Sequence, residues 1–82
     1  MTAPALTHPP RMDDYIVSDP HRLGGEPVFK GTRVPIRTLF QYLRKGIPVD
    51  QFLSDFEGVT HQQALAVLEL AESGIIERTR RP

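Results

Sequence analysis

The chain has 82 residues with ten basic and ten acidic side chains, a net charge of zero, and no cysteine. Because a chain this short forms at most one domain and buries only about 60% of its unfolded surface, we expect association with a partner to support its stability. The absence of cysteine excludes disulfides, thiolate nucleophiles and Cys-ligated zinc. No apolar run approaches the roughly 18 residues of a membrane span, and the N-terminus does not resemble a signal peptide, so we predict a soluble cytoplasmic protein.

The N-terminal part predicts a flexible arm. Residues 1–13 contain three prolines and scarcely any apolar periodicity, a composition that buries too little surface to offset the entropy of ordering the backbone. The folded domain is predicted to span residues 14–76, and a basic tail, residues 77–82, follows it.

Two short runs of β-prone residues at the start of the domain predict a hairpin. They are Tyr15-Ile16-Val17 and Val28-Phe29-Lys30. Between them, Gly24 and Gly25 can take the positive φ that a tight reversal requires. Five residues of this region are predicted to shape turns: Gly24, Gly25, Pro27, Gly31 and Pro35.

Two amphipathic helices of about eleven and eight residues are predicted after the hairpin. Apolar residues at 36, 39, 40 and 43 repeat with helical spacing, Pro35 suits the first helical position, and Gly46 ends the segment. The second helix begins at Pro48 and ends at Glu57-Gly58.

A third helix of about thirteen residues is predicted to begin after Thr60 and to end at Ser73-Gly74. Thr60 and Gln63 match the Thr-x-x-Gln pattern of a capping box. Three helices with short glycine-containing connections are typical of a helix-turn-helix unit, so the predicted fold is mostly α, with a small N-terminal β-hairpin. A three-helix bundle without a nucleic-acid role has the same pattern.

The charges are segregated along the sequence. The stretch from His21 to Gly46 has six lysines and arginines and a single carboxylate, Glu26, whereas the stretch from Ile47 to Glu77 has six carboxylates and no lysine or arginine. Such a distribution can orient a protein toward partners of opposite charge on two sides. The alternative is that folding interleaves the two stretches in surface ion pairs.

The residue patterns argue against catalysis and nucleotide binding. A Walker loop requires glycine followed by lysine and a hydroxyl residue, whereas here Lys30 precedes Gly31. The histidines, at positions 8, 21 and 61, show no metal-ligand spacing, and no set of nucleophile, base and orienting residue can be assembled. We therefore predict a protein that is not an enzyme and has no metal or cofactor.

DNA binding is one function that the helices allow. In a helix-turn-helix the N-terminal residues of the third helix face base edges, and here these are Thr60, His61, Gln62 and Gln63. The body of that helix has carboxylates, which repel phosphates, so most of the affinity would have to come from cations elsewhere. The candidates are Lys30, Arg33, Arg37, Arg44 and Lys45, or Arg78, Arg80 and Arg81 of the tail. The same cations can instead form a solvated charged face.

A series of motifs resembles that of a known family. The motifs are Asp-Pro, Gly-Gly-x-Pro and Gly-Thr-Arg-Val-Pro before a helix, then a Gly-Ile-Pro break and a Thr-led last helix. They resemble a small prokaryotic family, domain of unknown function 433, from about Tyr15 to Ile76 and most sharply in residues 24–35. The resemblance implies a homeodomain-like helix-turn-helix preceded by short strands. Where the family often has an aromatic-Pro pair before the last helix, this chain has Phe56-Glu57-Gly58.

The resemblance also implies a function. Members of the family resemble antitoxins of type II toxin–antitoxin pairs and often adjoin a gene for a toxin similar to PIN-domain ribonucleases. An antitoxin of this kind blocks its nuclease by direct contact and commonly binds its own promoter. Because a PIN-like nuclease gathers acidic residues around its metal ions, a basic protrusion can occupy that pocket. The toxin-binding candidates are Lys30, Arg33, Arg78, Arg80 and Arg81.

Several alternatives remain open at this point. Arg33 can instead pair with an acidic residue of the last helix and fix the fold. The whole chain can be a stand-alone DNA-binding regulator, or an adaptor domain that binds only protein. For the antitoxin-like protein we expect a homodimer or higher oligomer formed through apolar helix faces.

Overall fold

A computed structural model describes residues 11–21 and 23–80 of the chain. In chain order these form helix α1 (Met12–Tyr15), strand β1 (Ile16–Val17), a 3₁₀ turn (Leu23–Gly25), strand β2 (Val28–Phe29) and helices α2 (Ile36–Arg44), α3 (Val49–Asp55) and α4 (His61–Arg80). The predicted fold class is confirmed, since the described residues are mostly helical with a small hairpin near the N-terminus. None of the described helices is both long and apolar enough to cross a bilayer.

The hairpin pairs β1 with β2 in antiparallel register. Ile16 lies opposite Phe29 and Val17 opposite Val28. The prediction that Tyr15 belongs to the first strand is wrong, because this residue ends α1, a short helix that the sequence pattern does not reveal. The predicted arm spans residues 1–13, of which residues 1–10 lie outside the described part of the chain. Its last two residues, Met12 and Asp13, belong to α1.

Glycine allows the reversal between the two strands. Gly24 and Gly25 have φ values of 61° and 83°, which side chains of the L configuration rarely adopt. The Ser18 hydroxyl donates a hydrogen bond of 2.6 Å to the Gly25 carbonyl and ties the end of β1 to this reversal. The predicted role of both glycines is confirmed.

Strand β2 and each of the three longer helices contribute at least one side chain to the core. Its largest members, Phe29, Leu39 and Phe52, have no exposed surface, and Val59, Ala64 and Val67 complete the buried cluster. The ring of Phe52 lies between others, with centroids 5.8 Å from Phe29 and 5.2 Å from Phe56. Because Phe29 belongs to the hairpin, this packing attaches the hairpin to the helical unit.

Proline precedes α2 and glycine follows it, and only the glycine stands where the sequence predicts. Pro35, with φ −65° and ψ 142°, is the residue immediately before the helix, so Ile36 takes the first helical position that we predicted for the proline. At the other end Gly46 has a φ of 80°, the left-handed conformation of a residue that follows a helix. Pro48 stands in the same way before α3.

A side-chain contact joins α2 to α3. The Tyr42 hydroxyl donates a hydrogen bond of 2.6 Å to Asp55 Oδ2, and Gln51 donates one of 2.9 Å to Oδ1 of the same carboxylate. The bond to Asp55, with smaller contributions from burial and from the carboxylate charge, raises the pKa of Tyr42 above its ordinary value. The neutral phenol is therefore the form that the folded state favours.

We expect the stability of the Tyr42→Phe variant to depend less on pH in the alkaline range than the stability of the wild type does. Below about pH 10 the phenol is protonated in both states and the contact stabilises the fold. As the pH rises, the unfolded chain loses the phenolic proton first, so the contribution disappears while the pH passes through the raised pKa of the folded state. Urea midpoints measured at a series of alkaline pH values should fall more steeply for the wild type, and an equal decline in both proteins would contradict this.

Helix α4 is longer than predicted. It continues through Ser73 and Gly74 to Arg80, so the predicted end at Ser73-Gly74 is wrong. A glycine ends a helix when it takes a left-handed conformation, and Gly74 is not among the glycines with positive φ. The side chains of residues 72–80 are all exposed.

The predicted capping box of α4 is confirmed. The Gln63 amide N–H donates a 3.0 Å hydrogen bond to Thr60 Oγ1, and the Gln63 side-chain oxygen accepts a 2.9 Å bond from the Thr60 N–H. These two bonds satisfy backbone donors that have no partner within the helix.

We expect Thr60→Ala to lower the free energy of unfolding by about 1 kcal/mol, because one of the two capping bonds is lost. In a domain of this size such a loss lowers the Tm by about 4–8 °C. Ser54→Ala is the matched control, since Ser54 is an exposed hydroxyl residue within α3. Equal melting temperatures for the Thr60 variant and the wild type would show that the cap adds nothing.

Candidate functional site

Residues 30–33, called the cationic turn below, form the tip of a second reversal that follows β2. The Phe29 N–H donates to the Val34 carbonyl at 3.0 Å, and Val28 also bridges Pro35 in antiparallel fashion. The segments on the two sides of the turn are therefore hydrogen-bonded to each other, and the four residues Lys30-Gly31-Thr32-Arg33 protrude beyond them.

Hydrogen bonds within the cationic turn fix its backbone. The Thr32 N–H donates to the Phe29 carbonyl at 3.0 Å, and Gly31, at the third position of this turn, has the positive φ, 81°, that a type II turn requires. The Thr32 hydroxyl donates to the same carbonyl at 2.8 Å and accepts a bond of 3.0 Å from the Val34 N–H. Because Phe29 is fully buried, these bonds hold the turn on the core.

The cationic turn also contacts α1 and the N-terminal end of α4. The Gln63 side chain donates a hydrogen bond of 2.9 Å to the Lys30 carbonyl. The Lys30 N–H donates to the Tyr15 carbonyl at 2.9 Å, and its ammonium group lies 3.4 Å from the Asp13 carbonyl. Gln63 therefore has two structural roles, since it caps α4 and positions the turn beside the first residues of that helix.

Both cations of the turn, Lys30 and Arg33, are exposed and have no ion-pair partner among the described residues, and of the two only the Lys30 ammonium group lies within hydrogen-bond distance of a described carbonyl, that of Asp13. Within residues 11–21 and 23–80 the structure contains one ion pair, between Arg37 and Glu26 at 2.9 Å. Both members belong to the cationic stretch of the sequence, so within the described residues this stretch forms no ion pairs with the acidic helices. Among these residues Arg33 forms no ion pair with a carboxylate of the last helix, so they do not support that alternative.

The structure separates the predicted DNA-reading residues into two groups. The side chains of Thr60 and Gln63 are engaged in the capping box, so they are not free to contact bases. His61 and Gln62 are exposed on the first turn of α4. Sequence periodicity alone does not distinguish the two groups, although the Thr-x-x-Gln pattern already marks the first one.

The other predicted cations lie in different places. Arg44 and Lys45 are at the C-terminal end of α2, where they and Gln41 line a depression of about 440 Å³. The nine residues of α2 span about 13 Å, and the cationic turn precedes the opposite end of this helix. Arg37, on the first turn of α2, is engaged with Glu26.

The basic residues near the C-terminus are also distant from the cationic turn. Arg78 and Arg80 are exposed in the last turn of α4, and this helix of 20 residues is about 30 Å long. The turn contacts the opposite end of the helix through Gln63. The toxin-binding candidates therefore form two separate groups, while Arg81 lies outside the described residues.

An apolar groove beside the hairpin was not predicted. It has a volume of about 490 Å³ and is lined by Met12, Ile16, Pro27, Ile36 and Phe40, together with the ion-paired Glu26 and Arg37. One wall comes from α1, which the sequence pattern does not reveal. Residues 12–17, Met-Asp-Asp-Tyr-Ile-Val, are too few to show a periodicity that predicts such a surface.

Comparison with known proteins places the chain in a family. Residues 16–71 match the family model described as "Protein of unknown function (DUF433)". The crystal structure of a DUF433 member protein from Anabaena variabilis ATCC 29413, at 2.00 Å resolution, is similar to this chain with a TM-score of 0.66 and 26% sequence identity, covering 84% of this chain and 68% of that one. No curated protein matches this chain. The family match covers well over half of the sequence, and the chain belongs to the DUF433 family.

Proposed function

We propose that this chain is an antitoxin-like protein without catalytic activity, which neutralises a PIN-like nuclease in the cytoplasm. The cationic turn enters the acidic, metal-binding pocket of the nuclease and Arg33 pairs with its carboxylates. The observation that carries the proposal is the exposed guanidinium of Arg33, which has no ion-pair partner among the described residues, on a hydrogen-bonded turn.

The rigidity of the turn supports this role. A binding residue on a flexible loop loses conformational entropy when the complex forms, whereas a preorganised turn avoids most of that loss. The Thr32 hydroxyl bonds to the Phe29 carbonyl and to the Val34 N–H, which lie on either side of Arg33 in the sequence, and so fixes the backbone before any partner is present. The planar guanidinium can then donate two parallel hydrogen bonds to a carboxylate, a geometry that an ammonium group does not provide.

The distribution of charge also favours a protein partner. The exposed face of α4 carries Glu69 and Glu72, which repel a phosphate backbone. The predicted cations are distributed over the turn, the end of α2 and the end of α4 and do not form one stripe. A single protruding arginine suits an acidic pocket better than the extended surface of a duplex.

Promoter binding is a second candidate, and one observation favours it. The Gln63 bond to the Lys30 carbonyl places the cationic turn beside the first turn of α4, where His61 and Gln62 are exposed. In a helix-turn-helix complex, side chains at this position face base edges while neighbouring cations contact phosphates. The same surface would then serve an antitoxin that binds its promoter, or a stand-alone regulator.

The test uses the protein encoded by the gene adjacent to that of this chain. We expect it to be a small PIN-like ribonuclease, to form a complex with this chain on size-exclusion chromatography, and to lose its activity on RNA at stoichiometric ratio. A neighbouring nuclease that neither binds this chain nor loses activity would contradict the proposal.

DNA binding is tested separately on the duplex upstream of the gene. Affinity that falls steeply with salt, and that falls further in a His61→Ala, Gln62→Ala double variant, would support promoter binding. Failure to bind this duplex at low salt would exclude it. If the chain binds the nuclease without inhibiting it, and binds no DNA, the adaptor alternative remains.

A further inference from the structure

We propose that the exposed end of α4, residues 72–80, forms a symmetric antiparallel contact with the same segment of a second copy, centred on Ile75 and Ile76. This inference concerns self-association and does not depend on the proposed function. In this arrangement the second copy packs against the part of α4 that extends beyond its predicted end.

The end of α4 has no packing partner among the described residues of a single copy. The side chains of residues 72–80 are exposed, and Ile75 and Ile76 expose 65% and 47% of their surfaces. Helical segments of this length are marginal in water without tertiary packing, and Gly74 within the segment weakens the helix further. Burial of the two isoleucines against another surface would stabilise the helical conformation of the segment.

One face of α4 combines apolar and charged side chains at helical spacing. Leu65, which exposes 47% of its surface, is followed on the same face by Glu69, Glu72, Ile76 and Arg80. These positions are separated by four, three, four and four residues, which keeps them within one exposed stripe of the helix. The acidic members precede the isoleucine and the basic member follows it.

This order of charges is complementary to itself in the antiparallel orientation. When two helices cross with Ile75 of one opposite Ile76 of the other, each Arg80 faces position 71 of the second copy, between its Glu69 and Glu72. The two-fold symmetry repeats this contact on both sides of the isoleucines. A parallel pair would instead place Glu69, Glu72 and Arg80 next to identical charges, which is unfavourable.

The size of the wild-type chain in solution provides the first test. We expect sedimentation equilibrium to show a reversible dimer, and Ile76→Lys to raise the dimer dissociation constant by at least about tenfold. Met12→Lys is the control, because Met12 exposes 60% of its surface but lines the apolar groove. A wild-type monomer up to the solubility limit, or dissociation by Met12→Lys and not by Ile76→Lys, would overturn the proposal.

The second test determines the orientation. Because the chain has no cysteine, single cysteines can be introduced at Glu72 and Thr79, which lie opposite each other across the proposed antiparallel contact. Mixing Glu72→Cys with Thr79→Cys under mild oxidation should give mainly the mixed disulfide. Disulfides mainly between identical variants would overturn the antiparallel arrangement.

A third test, charge reversal, distinguishes loss of the contact between the two copies from loss of helix stability. Arg80→Glu should weaken the dimer, and a mixture of this variant with the Glu69→Arg, Glu72→Arg double variant should associate more tightly than either variant alone. Circular dichroism of each variant shows whether α4 remains helical. Absence of this preferential association in folded variants would contradict the role of the charges.

Discussion

Replacing Phe52 with alanine is expected to remove a large part of the free energy of unfolding. Phe52 has no exposed surface and its ring lies within 6 Å, between centroids, of the rings of Phe29, Tyr42 and Phe56. Truncation of such a side chain removes its transfer free energy and leaves a cavity, which together cost about 3–5 kcal/mol. A chain of this length has only about 4–12 kcal/mol of stability, so the loss is a large part of the total.

The measurement is urea denaturation followed by circular dichroism. The Phe52→Leu variant is the matched control, because it retains most of the apolar volume and should lose only about 1–2 kcal/mol. If the alanine variant unfolds at the same urea concentration as the leucine variant, the four aromatic rings do not form the centre of the core. A dimer also stabilises the folded chain by mass action, so each comparison is made at one protein concentration.

The helices could be predicted because their signals are local. The spacing of Ile36, Leu39 and Leu43 defines the buried face of α2, and left-handed Gly46 ends this helix as its position in the pattern indicates. The capping box of Thr60 and Gln63 is equally local, since both partners lie within one turn. Each of these features depends on residues that are close in sequence.

The two helix errors have different physical origins. A glycine is compatible with both a left-handed end and a helical interior, so the sequence around Gly74 does not decide between them. In the structure the helix continues past it. Helix α1 has only four residues, too few to show helical periodicity, and it packs against other elements that the sequence does not place beside it.

The candidate site could be predicted in composition but not in arrangement. The glycine of the cationic turn and the exposed Arg33 follow from the motif itself. The bond from Gln63 to the Lys30 carbonyl joins residues 33 positions apart, and no local pattern indicates it. The same holds for the ion pair that engages Arg37 with Glu26 and removes this arginine from the set of free cations.

Separation of charge in the fold connects the site to the proposed function. The acidic residues of α4 stay exposed and, among the described residues, pair with none of the cations of the preceding stretch. Among the described residues, the carboxylates of α4 and the guanidinium of Arg33 are therefore available to other molecules. The cationic turn suits an acidic pocket, and the mixed charges at the end of α4 suit a second copy of the same chain.

Replacing Arg33 with alanine is expected to weaken inhibition of the nuclease strongly without changing the stability of the free chain. Arg33 is exposed and has no ion-pair partner among the described residues, so its truncation should alter the free energy of unfolding by less than about 0.5 kcal/mol. If its guanidinium occupies the centre of the interface, affinity for the nuclease should fall about 30-fold or more, which corresponds to about 2 kcal/mol.

Two further variants make the result specific to Arg33. Arg44→Ala removes another exposed cation, at the far end of α2, and should leave inhibition unchanged, which separates a local contact from general electrostatic attraction. Arg33→Lys keeps the charge but not the planar pair of donors, so it should recover only part of the affinity. Inhibition by Arg33→Ala equal to that of the wild type would eliminate the cationic turn as the inhibitory element. A large fall in its melting temperature would instead show that Arg33 stabilises the fold, because a residue needed only for binding leaves the free chain as stable as before.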